Sequence, residues 1–108
     1  MLSKKNRLAK DRDIQTAFAR GRNFFSQFFN LKFFRKDGPK RFAVVVSTKV
    51  FKNAVARNRL KRVIRENLRK SLSKFPGGDY MVMAKPRVAH IPEPEAIKNL
   101  MELVGKVR

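Results

Sequence analysis

The residues whose types and spacing could do chemistry are concentrated between residues 53 and 70. Four of them, Asn58, Arg62, Arg65 and Arg69, are spaced by four, three and four residues. A helix turns by about 100° per residue, so this spacing brings the four side chains within about 60° of one another. Arginine matches the paired oxygens of a phosphate and keeps its charge, whereas asparagine can pair with a base edge or a ribose hydroxyl. We call these four residues the basic ridge and interpret them as a phosphate-binding surface.

A solvated amphipathic helix is the alternative interpretation of the same stretch. Such a helix is expected to mix charges of both signs along its exposed face. Residues 57–74 instead contain eight basic residues and one acid, Glu66. We expect Glu66 to pair with Lys70, four residues further on, for only about 0.3 kcal/mol. That pair would leave the basic ridge charged, so the pattern favours an anion-binding surface.

The whole chain carries the same excess of positive charge. Its 108 residues include 27 Lys and Arg against 8 Asp and Glu, a net charge of +19. A compact domain with this charge repels itself, which points to a polyanionic partner, by default a nucleic acid. No apolar run approaches the roughly 20 residues that a membrane span requires, and no apolar segment follows the basic start. We therefore expect a cytoplasmic protein without a membrane partner.

Residues for protein-based catalysis are scarce in this chain. It has no cysteine, and its single histidine, His90, lies in a proline-bounded loop. Metal-dependent hydrolysis requires clustered carboxylates or histidines. Asp11, Asp13 and Asp37 are explained more simply as helix-cap and turn residues. We therefore expect no catalytic residue and no metal site in the protein itself.

The hydrophobic pattern predicts the elements that must position the basic ridge. They are a helix over 11–20, a strand over 28–35, a strand over 42–46, a helix over 53–73, a strand over 80–84 and a last helix after Pro92 and Pro94. We expect the first two strands to form a hairpin around the Asp37–Pro39 turn, with another short strand near residues 47–50. Residues 1–108 would form one α/β sandwich, with a mobile basic N-terminus over residues 1–10.

One half of the long helix is expected to face the sheet. Its apolar side chains fall together on the helical wheel, and they are Leu60, Val63, Ile64, Leu68 and Leu72. The basic ridge lies on the remaining surface. The helix is therefore predicted to pack with one side and to bind with the other.

Three blocks of sequence resemble the bacterial ribonuclease P protein subunit. The central block is Asn53-Ala54-Val55 followed by Arg57-Asn58-Arg59, Lys61-Arg62, Arg65-Glu66 and Arg69. The first block is Arg7-Leu8, then Asp13-Ile14-Gln15, Phe18 and Gly21. The third is Asp79-Tyr80 at the start of the late strand, then Lys85-Pro86 after it. The resemblance covers nearly the whole chain, in the right order and at the right length.

The resemblance implies an α+β fold of α-β-β-β-α-β-α order. This fold is like the second domain of ribosomal protein S5 and contains a left-handed β-α-β crossover, against the usual preference. It also implies a subunit of an endoribonuclease that removes the 5′ leader from precursor tRNA. In such a complex a large catalytic RNA and its Mg²⁺ ions perform the hydrolysis. The protein binds no cofactor itself, and its partners are the catalytic RNA and precursor tRNA.

The resemblance also assigns roles to particular residues. It places RNA binding on the central helix, at Arg57, Asn58, Arg59, Lys61, Arg62, Arg65 and Arg69. It places the leader in a cleft between the sheet and the first helix, at Ile14, Phe18 and Lys32. Phe18 could stack on a leader base or could equally belong to the core.

Three positions depart from the family pattern. Ile14 and Lys32 stand where family members often have aromatic residues, which implies a weaker or more electrostatic grip on the leader. Lys52 stands where a glycine is common. A turn that needs a positive φ would be strained there, or would be shaped differently.

Other nucleic-acid and membrane proteins share some of these features. A ribosomal protein that binds ribosomal RNA is the main alternative, because it would share the charge, the size and the sheet-plus-helix plan. It would not be expected to combine all three blocks. DNA-binding proteins of this size usually dimerise or contain a helix-turn-helix pair, and neither is evident. The last helix carries too little positive charge for a membrane anchor, so we expect neither DNA nor membrane as a partner.

Overall fold

Three helices and four strands follow one another in the predicted α-β-β-β-α-β-α order. The computed structural model describes residues 3–107. In chain order the elements are α1 (Asp11–Arg20), β1 (Arg22–Phe25), β2 (Phe29–Arg35), β3 (Arg41–Val45), α2 (Ala54–Lys70), β4 (Gly78–Ala84) and α3 (Glu93–Val104). Single 3₁₀ turns lie at Lys4–Asn6, Leu72–Lys74 and Pro86–His90. The predicted single α+β domain is confirmed.

The four strands form one sheet in the order β1-β2-β4-β3. β2 is antiparallel to both β1 and β4, whereas β3 runs parallel to β4. The predicted hairpin of β2 with β3 is therefore wrong, because β4 lies between them and β2 forms its hairpin with β1 instead. β4 is apolar on both faces and buried over its first five residues, which suits a central strand. Parallel strands need a long crossover, and α2 supplies it.

The additional short strand, predicted near residues 47–50, lies elsewhere in the chain. Residues 48–50 form a turn, and the extra strand is β1. Its two phenylalanines point to opposite faces of the sheet, since neighbouring strand residues alternate. Phe24 packs against the main core, whereas Phe25 is 63% exposed.

The main core lies between one face of the sheet and helices α2 and α3. Its β2 residues are Phe29, Leu31 and Phe33, which alternate along the strand. From α2 come Leu60, Ile64 and Leu68, which confirms the predicted packing face. Tyr80 lies at the centre, with ring centroids 4.7 Å from Phe33 and from Phe42, and its hydroxyl donates to the carbonyl of Pro76. This face of the sheet is fully covered and gives α2 a fixed position.

A second and smaller core lies on the opposite face, under α1. Ala17 and Leu8 are buried there against Met81 of β4, with Ile14 of α1 partly buried beside them. α1 has ten residues, and on this face Phe25 of β1 and Val45 of β3 remain 63% and 41% exposed. Part of this face therefore remains open beyond α1.

The N-terminal segment packs beside β3 from residue 3 onwards. The Leu8 N–H donates to the Phe42 carbonyl at 2.9 Å, and the Asn6 amide donates to the Lys40 carbonyl at 2.7 Å. Asn6 and Leu8 are both buried. The predicted mobile segment covered residues 1–10; residues 1 and 2 lie outside the described residues, and residues 3–10 lie against the sheet.

One arginine joins α1 to the sheet. Arg41 of β3 lies opposite Asp79 of β4 and donates from Nε and Nη2 to the two carboxylate oxygens, both at 2.8 Å. Its Nη1 also donates to Oδ2 of Asp13 at 3.1 Å. Hydrogen bonding to Asp79 raises the pKa of Arg41, and Asp13 adds to the effect. The predicted cap role of Asp11 or Asp13 is wrong, because Lys10 precedes the helix without a side-chain cap; Asp13 instead holds the first turn of α1 to β3.

We predict that Asp79→Ala lowers the free energy of unfolding by about 3 kcal/mol, because it leaves the Arg41 guanidinium half-enclosed without its main partner. Urea denaturation measures the difference. Asp37→Ala removes the same charge from an exposed turn and should stay within about 0.5 kcal/mol of the wild type. Equal destabilisation of the two variants would contradict the structural role of the Arg41–Asp79 pair.

Candidate nucleic-acid interface

The start of α2 is fixed by two side chains. Asn53 is the N-cap residue, and its Oδ1 accepts from the Val55 N–H at 2.7 Å. Arg57 donates from Nη1 to the carbonyls of Phe51 and Lys52, at 2.9 and 2.8 Å. Among the described residues only glycines have positive φ, so the turn at Lys52 is not strained and the possible strain there does not occur. Arg57 therefore orders the loop that leads into α2.

The basic ridge lies along the side of α2 that faces away from the core. Asn58 and Arg62 are exposed, and Arg65 is half-buried. Within residues 3–107 these three side chains have no hydrogen bond or ion pair with another residue. They form a continuous set of donors without an internal acceptor. Such donors are available to phosphate or base acceptors.

The C-terminal end of the basic ridge is neutralised. Arg69 donates to Glu66, three residues earlier, with Nη2 and Oε1 2.5 Å apart. The predicted pairing of Glu66 with Lys70 is therefore wrong. The planar guanidinium of Arg69 reaches both carboxylate oxygens of Glu66, and a lysine ammonium matches that pair of oxygens less well. Hydrogen bonds from Arg69 lower the pKa of Glu66 to about 2. The uncompensated part of the basic ridge is thus Asn58, Arg62 and Arg65.

Arg59 and Lys61 complete the set that the family resemblance assigned to RNA. Arg59 forms an ion pair with Glu93 at the start of α3, with Nε and Oε2 3.3 Å apart. Lys61 is half-buried and makes no ion pair or hydrogen bond to the part of the chain that the structure describes. All seven assigned residues lie on α2, but Arg57, Arg59 and Arg69 each have a partner within the protein.

A groove connects the basic ridge with the face of the sheet under α1. Arg65 lines it from α2, Ile14 from α1, and Ala43 and Val45 from β3. Its volume is about 290 Å³. Arg65 is therefore the residue through which the basic ridge continues into the cleft. Ile14 lies at the edge of this groove and packs partly into the second core.

Phe18, in the C-terminal half of α1, lies together with Lys32 of β2. The Phe18 ring is 53% exposed and belongs to neither core cluster. The Lys32 Nζ lies 4.2 Å from the ring centroid and donates to the Phe18 carbonyl at 2.7 Å. An ammonium over an aromatic face is a cation–π contact. The structure thus brings the assigned cleft residues Phe18 and Lys32 into direct contact, with Ile14 one turn away on the same helix.

A second basic concave surface was not predicted from the sequence. Its volume is about 360 Å³, and its cationic lining residues are Lys4, Lys5, Arg7, Lys10 and Arg41. The basic composition of residues 4–10 was the available signal. Two hydrogen bonds to backbone carbonyls bring this segment to β3, one from the Leu8 N–H and one from the Asn6 amide, and the sequence pattern does not reveal either of them.

The acidic side chains do not form a metal site within residues 3–107. No group of three or more His, Cys, Asp and Glu residues there is arranged to hold an ion. Asp13 and Asp79 are both engaged by Arg41, and His90 is exposed. In the same described range no helix has the length and apolar character of a membrane span.

The fold and this surface define a class: a small α+β domain with a basic crossover helix beside a partly open sheet. A family model described as ribonuclease P matches residues 2–108. The ribonuclease P protein component of Listeria monocytogenes serotype 4b is 33% identical over 110 residues, covering 98% of this chain and 92% of that one. That of Xylella fastidiosa strain Temecula1 is 32% identical over 101 residues, covering 94% and 75%.

Solved structures of ribonuclease P proteins are also similar to this chain. The ribonuclease P protein of Staphylococcus aureus superposes with a TM-score of 0.88 at 27% identity, covering 96% of this chain and 98% of that one. The protein from Thermotoga maritima gives 0.84 at 25% identity, covering 94% and 97%. This chain belongs to the ribonuclease P protein family, and the resemblance of its three sequence blocks is confirmed.

Proposed function

We propose that this chain is the protein subunit of a bacterial ribonuclease P, which binds the catalytic RNA and the 5′ leader of precursor tRNA. The observation that carries the proposal is the junction at Arg65. There the unpaired part of the basic ridge meets the open cleft under α1, in a chain of this family. The family membership favours this RNA over ribosomal RNA. The proposed setting is the cytoplasm, with neither DNA nor membrane as partner.

The basic ridge is proposed to hold phosphates of RNA. Arg62 and Arg65 each present a guanidinium that no carboxylate of the described chain engages. Each phosphate neutralised releases counterions, so such contacts supply affinity and make it depend on salt. Asn58 beside them adds an amide for a base edge or a 2′-hydroxyl. Three further arginines support this surface: Arg57 orders the loop before α2, Arg59 joins α2 to the start of α3, and Arg69 pairs with Glu66 near the end of α2.

The cleft is proposed to hold the single-stranded leader. The exposed Phe18 ring offers a surface on which any base can stack, for about 1–3 kcal/mol. Lys32 holds that ring from one side and adds a positive charge for the backbone. Stacking tolerates every sequence, which suits a protein that meets many leaders. Ile14 contributes an apolar wall to the adjoining groove.

Hydrolysis is proposed to belong to the RNA, which would use Mg²⁺ at its own active site. The residues of this chain bind and orient the substrate; they supply no nucleophile or general base. Its effect on the reaction would come through affinity for precursor tRNA and through placement of the leader. The enzyme is therefore an endoribonuclease of which this chain is one part.

Single-turnover cleavage of a precursor tRNA tests this proposal directly. We expect the protein to stimulate correct 5′ cleavage by a bacterial ribonuclease P RNA at low Mg²⁺ and near-physiological salt, and to cleave nothing without that RNA. A basic protein of similar net charge serves as the control. Equal stimulation by that control would show charge screening alone and would reject the proposed subunit function.

The double substitution Arg62→Ala with Arg65→Ala is expected to weaken binding to the catalytic RNA and to flatten its salt dependence. Removing one phosphate-binding side chain lowers the slope of log K against log salt by about 0.7–0.9. Filter binding over a series of salt concentrations measures the slope. Lys98→Ala with Lys106→Ala removes the same charge from exposed positions at α3. If both pairs change the slope equally, the basic ridge is not the binding surface.

The substitution Phe18→Ala is expected to weaken binding of precursor tRNA to the holoenzyme by about tenfold, because it removes one stacking surface. Mature tRNA has no leader and should bind as before. Equilibrium binding of both tRNAs to the reconstituted holoenzyme measures the difference. Equal weakening of both tRNAs, accompanied by a lower melting temperature, would mean that Phe18 acts through stability rather than through the leader.

A further inference from the structure

Four side chains lie in one line across the open part of the sheet. Phe25 of β1 is paired with Asn30 of β2, Asn30 with Met83 of β4, and Met83 with Val45 of β3. Residues paired in this way point to the same face. With strands about 4.8 Å apart, the line is about 14 Å long. We call these four residues the transverse row.

The transverse row lies on the α1 face, at the margin of the part that α1 covers, and its Met83 packs partly against the second core. The next row towards α1 contains Lys32 and Met81, and Met81 is buried in the second core. In the transverse row, Phe25 is 63% and Val45 is 41% exposed. Val45 also lines the groove with Arg65. The row therefore extends the surface from the basic ridge at the β3 edge to the opposite edge of the sheet at β1.

Phe25 repeats the arrangement found at Phe18. The Lys85 Nζ lies 5.9 Å from the centroid of the Phe25 ring and donates to the Ser26 carbonyl at 2.6 Å. Phe18 and Phe25 are the two aromatic residues among the exposed large apolar side chains of the described range. Both lie on this face, and each has a lysine ammonium beside it. Exposed aromatic rings interleaved with cations are the pattern of single-stranded nucleic-acid binding.

Asn30 is paired with Phe25 and has an unused polar atom. Its Oδ1 is buried and accepts no hydrogen bond from any residue in the range 3–107. A buried acceptor without a donor costs free energy, which a partner from outside the protein can recover. The amide lies in the same row as Phe25 and one row from Lys32. The Asn30 side chain would have to turn outward to bring this acceptor to a base that lies against Phe25.

We propose that Phe25 and Lys85 form a second nucleotide-binding position for the leader, at the β1 edge of the sheet beyond Phe18. A base would stack on the Phe25 ring, and the adjoining phosphate would lie near the Lys85 ammonium. Lys32 lies two residues from Asn30 on β2, and Phe25 lies one strand further, so the backbones of Lys32 and Phe25 are about 8 Å apart. That separation suits neighbouring nucleotides of an extended strand.

The charge of this surface favours RNA over a protein partner or a second copy of the chain. Lys32 and Lys85 flank the row, and no acidic residue is part of it. A second copy would bring the same lysines against them, in a chain with a net charge of +19. A single strand of RNA supplies both the bases for the two rings and the phosphates for the two ammonium groups.

The proposal rests on the proposed leader binding and predicts a dependence on leader length. Affinities of the reconstituted holoenzyme are measured for precursor tRNAs whose leaders increase by one nucleotide at a time. Phe25→Ala is expected to bind the shortest leader and mature tRNA as the wild type does, and to bind long leaders about five- to tenfold more weakly. Phe25→Tyr keeps the stacking surface and should restore the affinity for long leaders.

The lysine is tested by the same binding experiment over a series of salt concentrations. Lys85→Gln should flatten the salt dependence for long leaders only. Lys106→Gln removes one exposed charge near the C-terminus and should leave all affinities unchanged. Circular dichroism melting of each variant verifies that the fold is retained.

Several outcomes would overturn this second position. They are an unchanged affinity of Phe25→Ala for every leader, an equal weakening for all leaders and for mature tRNA, and failure of Phe25→Tyr to restore binding. Self-association of the wild type in sedimentation that Phe25→Ala abolishes would assign the surface to a second copy instead. If the wild-type protein does not stimulate cleavage at all, the proposed subunit function is wrong. If it stimulates cleavage and Phe25→Ala binds every leader normally, only the proposed second nucleotide-binding position is wrong.

Discussion

The contact of Arg41 with Asp79 and Asp13 is the interaction on which the binding surface depends. It joins neighbouring strands β3 and β4 and ties the first turn of α1 to them. Asp79 is only 2% exposed, so its charge must be met inside the protein. Because both carboxylates converge on one guanidinium, the position of α1 is fixed relative to the sheet. The width of the open cleft follows from that position.

Four of the eight acidic residues of this basic chain stabilise its internal geometry. Asp13 and Asp79 engage Arg41, Glu93 engages Arg59, and Glu66 engages Arg69. These contacts hold α1, the start of α3 and the end of α2. Arg62 and Arg65 have no such partner in the described chain. The same small number of carboxylates that builds the fold therefore leaves the outward-facing part of the basic ridge uncompensated.

The local elements of this fold are predictable from the sequence, but the sheet order is not. The 3.6-residue period of Leu60, Ile64 and Leu68 predicts α2 and its buried side, and the structure confirms both. The predicted β2–β3 hairpin is wrong because the sequence of a short turn between two strands is similar whether or not those strands pair with each other. What separates β2 from β3 is the insertion of β4, which comes more than thirty residues later in the chain and pairs through backbone groups.

The charges of the candidate site were predictable from the sequence, but the partners of its side chains within the protein were less so. The spacing of the basic ridge identified a surface of α2, yet it could not show that Arg69 is neutralised by Glu66 or that Arg57 holds a loop. Phe18 was equally compatible with the core and with a cleft, because exposure depends on how far α1 extends over the sheet. Phe25 gave no signal at all, since its orientation is set by pairing with Asn30.

The two kinds of contact offered by this surface would serve different needs of the proposed subunit, which would bind one RNA and many leaders. Guanidinium groups on a rigid helix fix position, because a phosphate backbone of defined shape places its charges at defined points. Aromatic rings on an open sheet tolerate every base, because each base has a stacking face. Arg65 lies where the two surfaces meet. Under the proposed function, a leader that enters at this residue would be aligned by the folded RNA on one side, while its bases would be held without regard to sequence on the other.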